Sequence, residues 1–115
     1  RYEPRPMKKI AFTVPINACE KVKEAMYLVG AGRFNNYERQ CWQTLGEGQW
    51  LPMKGANPTI GKAGVLEKVQ EFKVEMFCED QYLGEAITAM LGAHPYEGPQ
   101  FEVYTIENSI EIKRA

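Results

Sequence analysis

Ala93-His94-Pro95-Tyr96-Glu97-Gly98-Pro99 is the stretch on which the reading of this chain turns. Pro95 disfavours helical backbone at His94, so a helix running from about Asp80 has to stop at or before Ala93, with Gly92 as terminator. Upstream, Leu83, Ala86, Ile87, Met90 and Leu91 recur at helical spacing. Downstream, Phe101, Val103 and Thr105 alternate with Glu102, Tyr104 and Ile106 in the period of a strand. The stretch is therefore a helix-to-strand corner, and it holds the only histidine. At a helix end, His94 can carry a proton against the negative pole, or use a neutral imidazole as ligand or hydrogen-bond partner. Tyr96 and Glu97 add a phenol and a carboxylate. The functional reading is a binding or catalytic corner; the plainer one is a rigid turn whose histidine caps the helix.

Working outward, Arg1–Pro6 carries two prolines and no apolar period, which predicts a flexible lead-in, and Met7 reads as the natural start of a single domain over residues 7–115. Ile10, Phe12 and Val14 alternate as a strand that Pro15 ends. Asn17 is placed to cap a helix, with Glu20 at its third position and Val22, Ala25, Met26 and Val29 on its apolar side. Gly30-Ala31-Gly32-Arg33 stops that helix. A dinucleotide fingerprint would need such glycines between a strand and a helix start, so the order here excludes it, although Arg33 and nearby amides could meet an anion. Tyr37–Leu45 alternates with polarity on both faces, which predicts a strand half exposed or facing another subunit. Gly46-Glu47-Gly48 reads as a turn and Gln49-Trp50-Leu51 as the returning strand. Residues 54–64, rich in glycine, read as a long loop that offers Asn57 and Thr59 to a ligand. Val65–Cys78 is a long strand whose apolar phase switches near Gln70 and Glu71, predicting a bulge. Asp80 is placed to cap the second helix, and Ser109–Lys113 reads as a short final strand or an extended tail.

Two one-sided helices on one face of an antiparallel sheet give the economical packing, an α+β, ferredoxin-like split βαβ sandwich. The opposite sheet face then lacks a helical cover, and oligomerisation is the natural way to cover it. With 115 residues, 44% hydrophobic and 25% charged, the chain has the composition of one folded domain. Fourteen basic against fifteen acidic side chains, net charge −1, give no electrostatic reason to expect nucleic acid or an acidic membrane as partner. No apolar run reaches the roughly 20 residues of a membrane span. Cys19, Cys41 and Cys78 form no CxxC pair and fit reduced, cytoplasmic thiols better than a disulfide framework.

Val14-Pro15, Gly30-Ala31-Gly32-Arg33, Asn36-Tyr37, Cys41, Gly55-Ala56-Asn57-Pro58 with Ile60-Gly61, and His94-Pro95-Tyr96-Glu97 together resemble the CutA-like, PII-like domain inserted in YqfO proteins of the Nif-three-like, dinuclear-metal-centre hexameric family. The resemblance runs from Met7 to Glu107. It implies a CutA/PII-like fold with a tendency to trimerise. It does not bring the family's metal centre with it, because that centre is built from histidines and carboxylates of the flanking domains, nor the cyclohydrolase label that some members carry. The leading expectation is a non-enzymatic ligand-sensing or protein-binding homotrimer, with candidate contacts at Arg33, Asn36, Tyr37, Asn57, His94, Tyr96 and Glu97. The alternative is divalent metal binding in the manner of CutA, through His94 and Glu97 with Cys41 approaching across a subunit boundary. A third reading is an enzyme using Cys41 or Cys78 as nucleophile and His94 as base.

Overall fold

The computed structural model describes residues 6–107; the lead-in expected before Pro6 and the last strand or tail expected at Ser109–Lys113 fall outside them. Four strands and two helices follow in the order β1 (Met7–Pro15), α1 (Cys19–Leu28), β2 (Trp42–Trp50), β3 (Glu67–Glu79), α2 (Leu83–Ala93) and β4 (Phe101–Thr105). The strands form one sheet in the order β2-β3-β1-β4, every neighbouring pair antiparallel. This is the split βαβ arrangement predicted from the element order.

Alternation explains the layers. Ile10 stands opposite Met76 and Val103, and Phe12 opposite Val74 and Phe101, so these side chains share one sheet face. Against that face α1 lays Cys19, Val22 and Met26, and α2 lays Ala86 and Met90, all buried in one core cluster. Each such large side chain contributes about 1.5–3 kcal/mol by leaving water. The other face carries Lys9, Thr13, Trp42, Thr44, Lys73, Glu75 and Tyr104 and has no helix over it.

Four local expectations need correction. Gly46-Glu47-Gly48 is not a turn: β2 runs straight through it, pairing Gly46 with Glu71 and Gly48 with Val69, while the residues from Tyr37 to Cys41 lie outside the strand. The chain reverses instead through the long segment 51–66. No bulge interrupts β3, whose register with β2 is unbroken from Glu67 to Glu75. The apolar phase breaks because β1 joins β3 only from Glu71 onward, so the preceding residues never face the core. Asn17 and Asp80 do not cap their helices through side chains. Both helices are entered through a 3-10 turn, Ile16–Ala18 and Asp80–Tyr82, whose tighter bonding satisfies the leading amides, and Asp80 pairs instead with Lys8 at 2.8 Å. The stop at Ala93 is as Pro95 dictates: His94 is extended, with ψ 135°.

Candidate functional site

Residues 94–100 return from α2 to β4 along the open end of β1. The last β1–β4 pair is Phe12 with Phe101, so the carbonyl of Thr13, one residue on, has lost its strand partner. The Nε2 of His94 lies 2.8 Å from that carbonyl oxygen, and its Nδ1 accepts the Tyr96 amide hydrogen at 3.1 Å. An acceptor at one nitrogen and a carbonyl at the other fix the neutral tautomer with the proton on Nε2. His94 is buried, with its ring edge-on to Phe12. Burial pushes its pKa below the ordinary imidazole range, with the Thr13 carbonyl and the charge of Glu71 pulling the other way.

That bond turns Tyr96 outward over the helix-free face. Its hydroxyl donates to Glu71 Oε2 at 2.6 Å, and its ring meets Trp50 with centroids 5.3 Å apart. Glu71 is only 5% exposed, an unusual burial for a carboxylate and one that the phenol makes tolerable. Burial and the neighbouring carboxylate both raise the Tyr96 pKa, so the phenol stays protonated and donating. Gly48 completes the arrangement. A Cβ there would stand 1.9 Å from Glu71 Oε1, so β2 carries glycine where the carboxylate lies against its backbone.

Around this pair opens a cleft of about 880 Å³ between the sheet, the 51–66 loop and the corner, lined by Trp50, Thr59, Glu71, Lys73, Tyr96 and Glu97 among others. The loop is tied to the corner at two points. The Asn57 amide donates to the Glu97 carboxylate at 3.2 and 3.4 Å, and the Thr59 hydroxyl donates to the Pro95 carbonyl. A volume of this size suits a small-molecule ligand.

The sequence-predicted residues thus divide. Tyr96 and Glu97 line the cleft, Asn57 anchors its loop wall, and His94 holds the corner from behind. Arg33, Asn36 and Tyr37 sit at the other end of the sheet, where the Gly32 amide donates to the Phe77 carbonyl, Arg33 lies 5.8 Å from the Tyr82 ring centre, and Phe34 bridges to Tyr37. Cys41 is away from the cleft, among Cys19, Tyr27 and Gln43 on the helix side, next to Gln40, whose amide donates to the Gly32 carbonyl. Among the described residues no group of three or more His, Cys, Asp or Glu side chains is arranged to hold a metal ion. Sequence reasoning missed Gly48, Trp50 and Glu71. The phase break at Glu71 is the available signal, and by itself it predicts a bulge.

The topology, the helix-free face and the cleft beneath a long β2–β3 loop define a ferredoxin-like protein of the CutA/PII type. No family model matches the chain. The GTP cyclohydrolase 1 type 2 homolog of Listeria monocytogenes is 44% identical over 104 residues, covering 89% of this chain and 28% of its own length. The crystal structure of a Bacillus cereus protein related to NIF3 superposes with a TM-score of 0.78 at 32% identity, over 93% of this chain and 27% of that one. The chain therefore spans roughly a quarter of the length of the relatives it matches. Two more distant structures share the fold: the periplasmic divalent cation tolerance protein CutA from Archaeoglobus fulgidus (TM-score 0.64, 14% identity, 91% of this chain and 88% of that one) and Bacillus subtilis GlnK in complex with ATP (0.58, 14%, 89% and 84%). This chain is thus similar, over nearly its whole length, to the CutA-like, PII-like domain of the YqfO, NIF3-like proteins.

Proposed function

We propose that this chain is a non-enzymatic, ligand-sensing domain that works as a cytoplasmic homotrimer and takes its ligand in the cleft above Glu71 and Tyr96. The observation that carries the reading is the cleft itself: an aromatic pair, Trp50 and Tyr96, beside a buried carboxylate, walled by a loop tied down at Asn57 and Thr59. Self-association is supported by the helix-free face, where Trp42 is 70% and Tyr104 45% exposed, and by the exposed apolar residues Leu51 and Met53 that follow β2. Three unpaired thiols suit a reducing compartment. A role without catalysis is supported by the single histidine, whose two nitrogens are both engaged in holding the backbone. The activity in the relatives' name would then reside in the three quarters of their length outside this match.

A fold neighbour solved with ATP makes adenine nucleotides the first ligands to titrate. Calorimetric titration should give saturable heat that Glu97→Ala weakens at least several-fold, with Arg33→Ala weakening it only where a second protomer brings Arg33 to the cleft. Unchanged interactions with nucleotides and with whatever co-purifies, in Arg33→Ala, Glu97→Ala and His94→Ala alike, would remove these sites from consideration.

Divalent metal binding is the second reading, favoured by the name of the CutA fold neighbour. A metal on His94 would have to displace the Tyr96 amide or the Thr13 carbonyl. Copper or zinc titration without saturable, His94- or Glu97-dependent binding rules this reading out.

A further inference from the structure

On the helix side of the sheet, away from the cleft, two of the three thiols converge on one oxygen. Cys19 opens α1, and its Sγ lies 3.8 Å from Gln43 Oε1; Cys41 stands just ahead of β2, and its Sγ lies 4.0 Å from the same atom. Lys23, one turn along α1, donates to that oxygen at 2.8 Å and pairs with Glu20 at 2.8 Å. The two sulfurs differ in access: Cys19 is buried and Cys41 half-buried. Burial also pushes the Cys19 thiol up, with the Lys23 charge opposing it, while the Tyr27 phenol bonds to Cys41. Cys78 is elsewhere, buried on β3 with its thiol against the Glu79 carbonyl and its pKa pushed up to about 11. A half-buried thiol beside an ammonium, backed by a second, buried thiol, is the arrangement of an attacking and a resolving cysteine.

We propose that Cys41 and Cys19 are a peroxide-responsive pair that closes to an intramolecular disulfide between the start of α1 and the entry to β2. The Cys41 sulfur attacks one peroxide oxygen; the O–O bond breaks, Cys41 becomes a sulfenic acid, and the other oxygen departs as hydroxide, which takes the proton given up by the Cys41 thiol and leaves as water. The Cys19 sulfur then attacks the Cys41 sulfur, the S–O bond breaks, and the departing hydroxide takes the Cys19 proton and leaves as a second water. Two thiols are oxidised and one hydrogen peroxide is reduced to two waters. Gln43 marks the one obstacle, since its oxygen lies against both sulfurs and has to withdraw for the S–S bond to form. Closure pins the beginning of β2, the strand whose other end carries Gly48 and Trp50 into the cleft.

The test treats the full reduced chain with stoichiometric hydrogen peroxide and maps peptides without reduction. The expected result is loss of two hydrogens per chain, a Cys19–Cys41 linked peptide, Cys78 still open to alkylation after unfolding, and full reversal by dithiothreitol. Cys19→Ser should leave Cys41 as a sulfenic acid that dimedone traps, and Lys23→Ala should slow its formation several-fold. A bridge through Cys78, a bridge between chains, or gain of oxygen at Cys41 without loss of two hydrogens in the unsubstituted protein would overturn the proposal. The readings on the unsubstituted chain stand whether or not a variant folds.

Discussion

Replacing Gly48 by alanine tests the link between β2 and the buried carboxylate. The added Cβ would stand 1.9 Å from Glu71 Oε1 and 2.6 Å from its Cδ, so the carboxylate has to move. Moving the tip of a glutamate is sterically easy, but this one accepts the Tyr96 hydroxyl at 2.6 Å and has little water to retreat into. Losing a charge-assisted hydrogen bond of this kind costs about 1.5–3 kcal/mol. Alanine in a strand interior recovers roughly 0.5–1 kcal/mol of the backbone entropy that glycine loses. The net expectation is a destabilisation of about 1–2 kcal/mol, or a Tm lower by roughly 5–10 °C for a domain of this size. Urea unfolding at fixed protein concentration, with an unchanged m-value, measures it. The decisive comparison is the same substitution in a Tyr96→Phe background, where the bond is already gone. There Gly48→Ala should be stabilising by roughly 0.5–1 kcal/mol, leaving a coupling of about 1.5–3 kcal/mol. Equal costs in the two backgrounds would show that Glu71 and Tyr96 are not what glycine protects.

Tyr96→Phe alone should cost about 1.5–3 kcal/mol in the same assay, because it strands a carboxylate that is nearly out of water; a cost below about 0.5 kcal/mol would mean that Glu71 finds solvent without the phenol. His94 makes stability depend on pH. Its folded pKa lies below the unfolded value near 6.5, so the unfolded chain binds the proton more readily, and the stabilisation is complete above about pH 6.5 and lost as pH falls from there through the lowered folded pKa. The slope attributable to His94 should be positive between the two pKa values, stay below the one-proton limit of about 1.4 kcal/mol per pH unit, and vanish in His94→Gln; an identical slope in that variant would assign it elsewhere. Glu97→Ala, which removes the acceptor of the Asn57 amide, should speed amide exchange at Asn57 by several-fold while leaving the core strands β1 and β3 protected; unchanged exchange at Asn57 would show that the 51–66 loop is held by Thr59 alone.

The helices and the two central strands were legible because one physical signal governed each. Ile10, Phe12 and Val14 face a core on one side only, and Leu83, Ala86, Ile87 and Met90 form a single stripe, so period and burial coincide. The corner at His94 was legible because Pro95 acts on its neighbour's backbone whatever surrounds it. β2 was not, since it is an edge strand with water along most of its length and no apolar period, and its glycines mimic turn punctuation. Gly48 is there for a side chain 23 positions further along, and local sequence carries no trace of such a partner. The same holds for Glu71, read as a defect in a strand but in fact the residue at which β1 joins the sheet. His94 and Tyr96 stand out in the sequence for their chemistry; the structure adds that the histidine bonds the Thr13 carbonyl and the Tyr96 amide, contacts that the order of residues alone does not carry.

Native mass spectrometry of the protein as purified tests at once both parts of the proposed self-associating sensor, the uncovered sheet face and the cleft. A trimer carrying a reproducible extra mass that Glu97→Ala reduces or removes is the expected result. A monomer at micromolar concentration with no bound mass would contradict it.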